Sequence, residues 1–147
     1  LLLKKYEKIG LSRGVLWGLS AWGLIHMMGG NIPVNDSVLY NVQIIPIFLK
    51  YDQLFHAFGF GVTTLVGWQL LRPYLKESYN RTTIGILIVM IGMGAGALNE
   101  TLEFIATVLV PETNVGGYLN TSLDLIFNMI GATVVAVYSM IRYKTIE

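Results

Sequence analysis

The sequence predicts an all-α integral membrane bundle of four transmembrane helices, with an extra interfacial or re-entrant segment between the first two. Three observations predict it. The 147 residues are 54% hydrophobic and 13% charged, with a mean hydropathy of +0.59, whereas soluble domains carry about 25% charged residues. The apolar residues gather into four runs near 11–29, 51–72, 82–110 and 118–141, each long enough to cross a hydrocarbon core of about 30 Å as a helix. The basic residues are one-sided. Four crossings put both termini on one side together with Lys4, Lys5, Lys8, Arg13, Arg72, Lys76, Arg81, Arg142 and Lys144, leaving only Lys50 opposite. Cytoplasmic loops carry the Lys and Arg excess. The expectation is therefore a multi-pass inner-membrane protein with cytoplasmic N- and C-termini, forming a single transmembrane domain over 1–147.

The first run holds Trp17, Trp22 and several small residues, and Gly29, Gly30 and Pro33 end it. The 1–10 stretch before it is a basic, amphipathic lead-in. The run that follows is too long for the apolar core of a cleaved signal peptide. The chain begins on Leu1, so the natural start is expected to lie elsewhere. The 30–50 connection starts polar and turns apolar from Val38 to Leu49, broken by Pro46. It is too short to cross, and reads as a helix or hairpin on or dipping into the interface. Arg72-Pro73 closes the second run, and Pro111 ends the third. The third run is rich in glycine (Gly85, Gly92, Gly94, Gly96), which permits close helix contact.

Net charge is +1 and no basic stripe exists, which argues against nucleic acid as a partner. The chain has no cysteine, so disulfides, thiolate metal sites and cysteine nucleophiles are excluded. No nucleotide loop is present, and the glycines of the third run fall in mid-helix.

The stretch 98–104 carries Glu100 and Glu103 inside the third run. Three apart, they share a helix face. Acidic groups at such depth are costly and mark either function or a tightly paired polar core. Asp52 and His56 lie four apart at the start of the second run, and Asp124 and Asn128 four apart in the fourth. His26 is near the far end of the first. With alternating crossings, most of these groups fall at one level, roughly 5–15 Å below the outer boundary at 1.5 Å per residue.

Four carboxylates with Lys50 only at the mouth cannot all stay charged in a low-dielectric bundle without cations or shared protons. His26, Asp52, His56, Glu100, Glu103, Asp124 and Asn128 are therefore the expected ligands of one or two divalent metal ions, with Glu103 as a candidate catalytic base. Hard oxygen plus imidazole suits zinc, manganese, iron or calcium. Helix bundles build di-metal centres from inward carboxylates and His. The competing reading is a structural polar network, with Asp52 and His56 paired locally and Asn99 and Asn128 as interhelical hydrogen-bond partners.

Three blocks of the chain also carry a resemblance. Tyr51, Asp52, His56, Phe58 and Gly61 open the second run, Asn99, Glu100, Glu103 and Phe104 sit in the third, and Asp124, Asn128, Gly131 and Ala132 in the fourth. Their order, with Ile25-His26 before a glycine pair in the first run, resembles the signature of YjdF-like and, more distantly, VanZ-like bacterial integral membrane proteins, and the resemblance covers most of 17–136. Phe104 stands where that pattern has Trp, and Asn120-Thr121-Ser122 replaces its Gly-Asp-rich approach to Asp124. The resemblance implies the membrane bundle and its polar site. VanZ-like members are linked to glycopeptide-antibiotic resistance.

Three functions follow from these residues. One is a metal-dependent centre acting on a lipid or envelope substrate. A second is a proton or ion relay. The third is an accessory subunit of a larger membrane complex. The expected partners are the lipid bilayer and, for the third, other membrane subunits.

Overall fold

A computed structural model describes residues 10–76, 78–110, 113 and 115–143. The basic lead-in at 1–9, and Pro111, Glu112 and Lys144, lie outside them. Four helices dominate: α1 (Arg13–Asn31), α2 (Tyr51–Leu71), α3 (Arg81–Leu109) and α4 (Tyr118–Arg142). The first three start where a nearby side chain accepts from a backbone N–H, while Gly117 heads α4 without a side-chain cap. Ser12 Oγ accepts from the Val15 N–H at the head of α1, and Asn80 Oδ1 from the Thr83 N–H at the head of α3. Before α2, Gln53 Oε1 accepts from the Lys50 N–H.

The connection from α1 to α2 is two small antiparallel hairpins, β1 (Pro33–Val34) with β2 (Ser37–Val38) and β3 (Gln43–Ile45) with β4 (Leu49–Lys50). Asn35 takes the left-handed conformation (φ 53°) that the first tight turn requires. Of the expected alternatives, the hairpin is the one present. Its second tip is apolar and exposed at Ile44, Ile45, Ile47 and Phe48.

The helices alternate in direction. Ser12 and Gln69 hydrogen bond at one end, where the Arg72 guanidinium also lies 4.8 Å from the centre of the Tyr143 ring. At the other end Lys50 and Gln53 meet Asn120. α2 is central, packing on α4, α3 and α1. Two kinds of core result. Toward the first end Trp68, Ile84, Ile88 and Ala136 form an apolar cluster. Toward the other, the buried side chains include Gln53, His56, Glu100, Asp124 and Asn128.

Glycine permits the closest approaches. A Cβ on Gly131 would strike the Ala57 backbone carbonyl across the α2–α4 contact. One on Gly29 would strike the Tyr40 ring.

Three helical segments are long and apolar enough to cross a membrane: Tyr51–Tyr74, Arg81–Leu109 and Tyr118–Arg142. Their outer faces are apolar, as at Ile86, Met90, Leu98, Leu102, Val134 and Val137, a surface suited to lipid rather than water. α1, expected as a fourth crossing, is not among them. Its five glycines, Ser20 and His26 add length without hydropathy.

Candidate functional site

α2 presents Asp52, Gln53 and His56 from its first two turns. The Asp52–His56 spacing of four puts both on one face. His56 is buried, and both ring nitrogens face acids. Nε2 lies 3.6 Å from Asp52 Oδ1, and Nδ1 lies 3.5 Å from Glu100 Oε1 of α3. Nδ1 is also 3.0 Å from Asn128 Oδ1 of α4. That last contact is a hydrogen bond in length. The two carboxylate distances are longer than a hydrogen bond of ordinary strength.

Asn120 of α4 ties the mouth together. Its Nδ2 donates to Asp124 Oδ2 at 2.6 Å and to Asp52 Oδ2 at 3.2 Å. Its Oδ1 accepts from Lys50 Nζ at 3.1 Å and from Gln53 Nε2 at 3.4 Å. Gln53 Nε2 also donates to Asp124 Oδ1 at 3.1 Å. Asp124 is wholly buried, yet both its oxygens have amide donors.

Glu100 differs. Its carboxylate is 7% exposed, and neither oxygen has a hydrogen-bond partner among the described residues. A buried acceptor in that state costs about 1–3 kcal/mol, more if charged. Glu103, one turn on, is half-buried, and Asn99 Nδ2 donates to its Oε1 at 2.7 Å. A Cβ on Gly96 would collide with the Asn128 amide, so glycine there lets α4 bring Asn128 to His56.

Two triads are spaced to hold a cation. Ligand atoms of Asp52, His56 and Asp124 lie within 4.8 Å of one another, as do those of His56, Glu100 and Glu103. His56 belongs to both. Asp52, His56, Glu100, Glu103, Asp124 and Asn128 are thus brought together.

His26 is not brought into either triad. Its side chain is exposed, with its ring 5.4 Å from that of Tyr40 and 6.2 Å from that of Trp22. It lies near the end of α1, a helix that packs on the flank of α2. The Tyr40 hydroxyl donates to the His26 carbonyl at 2.7 Å. Burial, and then the Asp52 and Glu103 carboxylates, push the Tyr40 phenol above its ordinary range, which keeps it a donor.

Four groups of this network escaped the sequence reading: Lys50, Gln53, Asn120 and Tyr40. Lys50 was expected only near the mouth, but its ammonium bonds to Asn120 and so reaches the acids. Gln53 and Asn120 carried a usable signal. Gln53 is three before His56 and Asn120 four before Asp124, which places each on its neighbour's face. Nothing in the sequence locates Tyr40 against α1.

Removing the Asn120 amide should loosen both Asp52 and Asp124. An Asn120→Ala chain is expected to bind divalent metal about 10–100-fold more weakly, the usual effect of losing an orienting outer-shell group. Titration of purified protein against a chelator measures it.

No curated protein and no solved structure matches the chain. The family described as "Predicted membrane protein (DUF2238)" matches residues 1–145. That match runs over all four helices and every residue of the two triads, and the chain belongs to this family of membrane proteins.

Proposed function

We propose that this protein is a four-crossing inner-membrane protein whose outward-facing intramembrane centre binds divalent metal. One observation carries the reading: Nε2 of the buried His56 lies 3.6 Å from Asp52 Oδ1, in a triad that Asp124 completes. Ligands about 2.0–2.2 Å from a tetrahedral ion stand about 3.3–3.6 Å apart. The spacing is long for hydrogen bonds and natural for neighbours in a coordination shell.

The rest of the donor set agrees. If Nδ1–H donates to Asn128 Oδ1, Nε2 keeps its lone pair toward Asp52 and Asp124. That is the outer-shell arrangement that orients a metal-ligating His. The amides of Gln53 and Asn120 orient the two aspartates in the same way. Four acids with Lys50 at the rim still leave an excess of negative charge, which a divalent cation offsets.

When bound, such an ion supplies Lewis acidity and a more acidic water. Glu103 is the catalytic base of this reading, taking a proton from a reacting group, and the Asn99 amide that steadies its half-buried carboxylate supports that role. The substrate class is a lipid or envelope component. The order of the motifs agrees with the YjdF-like and VanZ-like resemblance. Elemental analysis of the purified chain tests the centre. A stoichiometric divalent ion is expected, and metal-free protein that stays folded and active would refute it.

The chain Asp52–His56–Glu100 also favours a second reading, a proton relay. It stops, however, at the apolar cluster of Trp68, Ile84, Ile88 and Ala136, where no acid follows among the described residues.

Four crossings with cytoplasmic termini are supported by the alternating helices and by the gathering of Arg13, Arg72 and Arg142 at one end. α1 completes the set. It is roughly 28 Å long at 1.5 Å per residue and exposes Trp17, Leu24 and Met27. The cysteine-free chain makes the test simple. A cysteine at Asn35 should react with an impermeant maleimide on intact spheroplasts. One at Asn80 should react only after permeabilisation. The reverse pattern would invert the topology.

A further inference from the structure

The acids of the centre have two approaches, and one of them comes from the side. A groove of about 770 Å³ runs between α3 and α4, a volume in the usual range of small-molecule sites. From α3 it is lined by Ala97, Glu100 and Phe104, and from α4 by Tyr118, Thr121 and Leu125. Positions 97, 100 and 104 are one helical face, as are 118, 121 and 125. Segment 115–117 forms its outer end. α2 contributes nothing to the lining, so the groove opens on the side of the bundle away from α2. Both walls belong to segments apolar enough to cross a membrane, so a bilayer around the bundle would cover that side.

Most of the lining is apolar. Thr101 and Thr107, also on its wall, donate their hydroxyls to Ala97 and Phe104 carbonyls of their own helix. Among the described residues, the one charged side chain on the lining is Glu100. Its carboxylate is more than nine-tenths buried, has no hydrogen-bond partner among the described residues, and lines the groove 3.5 Å from His56.

From this we infer that the groove is a lateral entry for a membrane lipid, one whose acyl chain lies along α3 and α4 and whose polar head offers N–H or O–H donors to Glu100. Glu100 oxygens with no donor call for N–H or O–H groups, so an ammonium or hydroxyl head suits them and a quaternary ammonium head does not. The apolar walls match an acyl chain as the bilayer does. The head alone gains something the bilayer interior lacks. This extends the metal-centre reading and rests on it for whatever chemistry the head then meets, though not for binding.

The test uses the full chain in vesicles with phosphatidylethanolamine bearing a mid-chain diazirine, beside the matching phosphatidylcholine. Photolabelled peptides are mapped and metal content is measured in the same samples. Labelling should concentrate on the 104 and 125 positions and favour the ethanolamine probe by about tenfold, the effect of a hydrogen bond gained. Glu100→Gln should remove that preference. Leu125→Trp, which fills the groove, should suppress labelling while metal content stays at the parent level. If that variant does not fold, excess unlabelled phosphatidylethanolamine on the parent chain serves instead and should compete the label away. Even labelling along the outer α3 face at Leu98 and Leu102, equal labelling by both probes, or no competition would overturn the lipid site. A parent chain that labels as expected but holds no metal supports the lipid site and removes the metal-centre reading alone.

Discussion

A His56→Ala chain is expected to lose divalent metal almost completely, with affinity falling more than about 100-fold, beyond the 10–100-fold range of outer-shell changes. The reason is position. His56 is the one residue common to both triads, and its nitrogens face Asp52 on one side and Glu100 on the other. Removing it takes the imidazole out of both groups at once. It also strands the Asn128 oxygen that the ring nitrogen meets at 3.0 Å. Asp124→Asn, by contrast, touches only one triad. It should weaken metal binding less, though only one of the Asn120 and Gln53 bonds to it can persist, because an amide keeps a single acceptor oxygen. Elemental analysis and chelator competition on monodisperse protein measure both. Parent-level metal in His56→Ala would place the ion somewhere other than this cluster, and the metal-centre reading would fall with it.

The second large effect is on folding. Gly131→Ala is expected to destabilise the bundle by about 3 kcal/mol, at or above the upper end of ordinary overpacking. The added methyl would meet the Ala57 backbone carbonyl, and backbone cannot rotate away as a side chain can. α2 and α4 would have to separate where His56 and Asn128 meet. Gly131 lies one turn after Asn128, so the loss of stability should bring loss of metal. Gly94→Ala is the control, since nothing stands within 4 Å of a Cβ there. It should hold parent stability, or gain slightly from better helix propensity. Thermal unfolding in detergent, followed by light scattering, reads both. Equal midpoints for Gly131→Ala and the parent would show that the two helices are less closely packed than described.

Both effects turn on how helices meet, and that separates what was legible in the chain from what was not. The elements were legible because their signals are local and repeated. The second, third and fourth runs, read as 51–72, 82–110 and 118–141, match α2, α3 and α4 to within a residue at each end. Pro, Gly and capping residues mark those ends. The connection was legible only as a choice between helix and hairpin, because a short apolar stretch satisfies either period.

Part of the site was legible for the same local reason. Pairs at three or four residues declare a shared helix face, and this placed Asp52 with His56, Glu100 with Glu103, and Asp124 with Asn128. Alternating crossings then brought the three pairs to one level. His26 followed the same arithmetic of depth, yet depth along a helix says nothing of rotation about it, and its ring lies against Tyr40 and Trp22 instead. Lys50, Gln53 and Asn120 show the converse. Their bonds join residues 67 to 70 positions apart. Such a contact depends on the rotation, tilt and close approach of two packed helices.

The sequence by itself determined the membrane character, the helices and the acids that share each face, because hydropathy and helical period act over a few residues. Only the tertiary structure decided that His56 faces two carboxylates, that Asn120 links Lys50 to Asp52 and Asp124, and that Glu100 has no hydrogen-bond partner among the described residues beside a lateral groove. Those outcomes depend on which faces the helices turn toward one another, and that is settled by packing over the whole bundle at once.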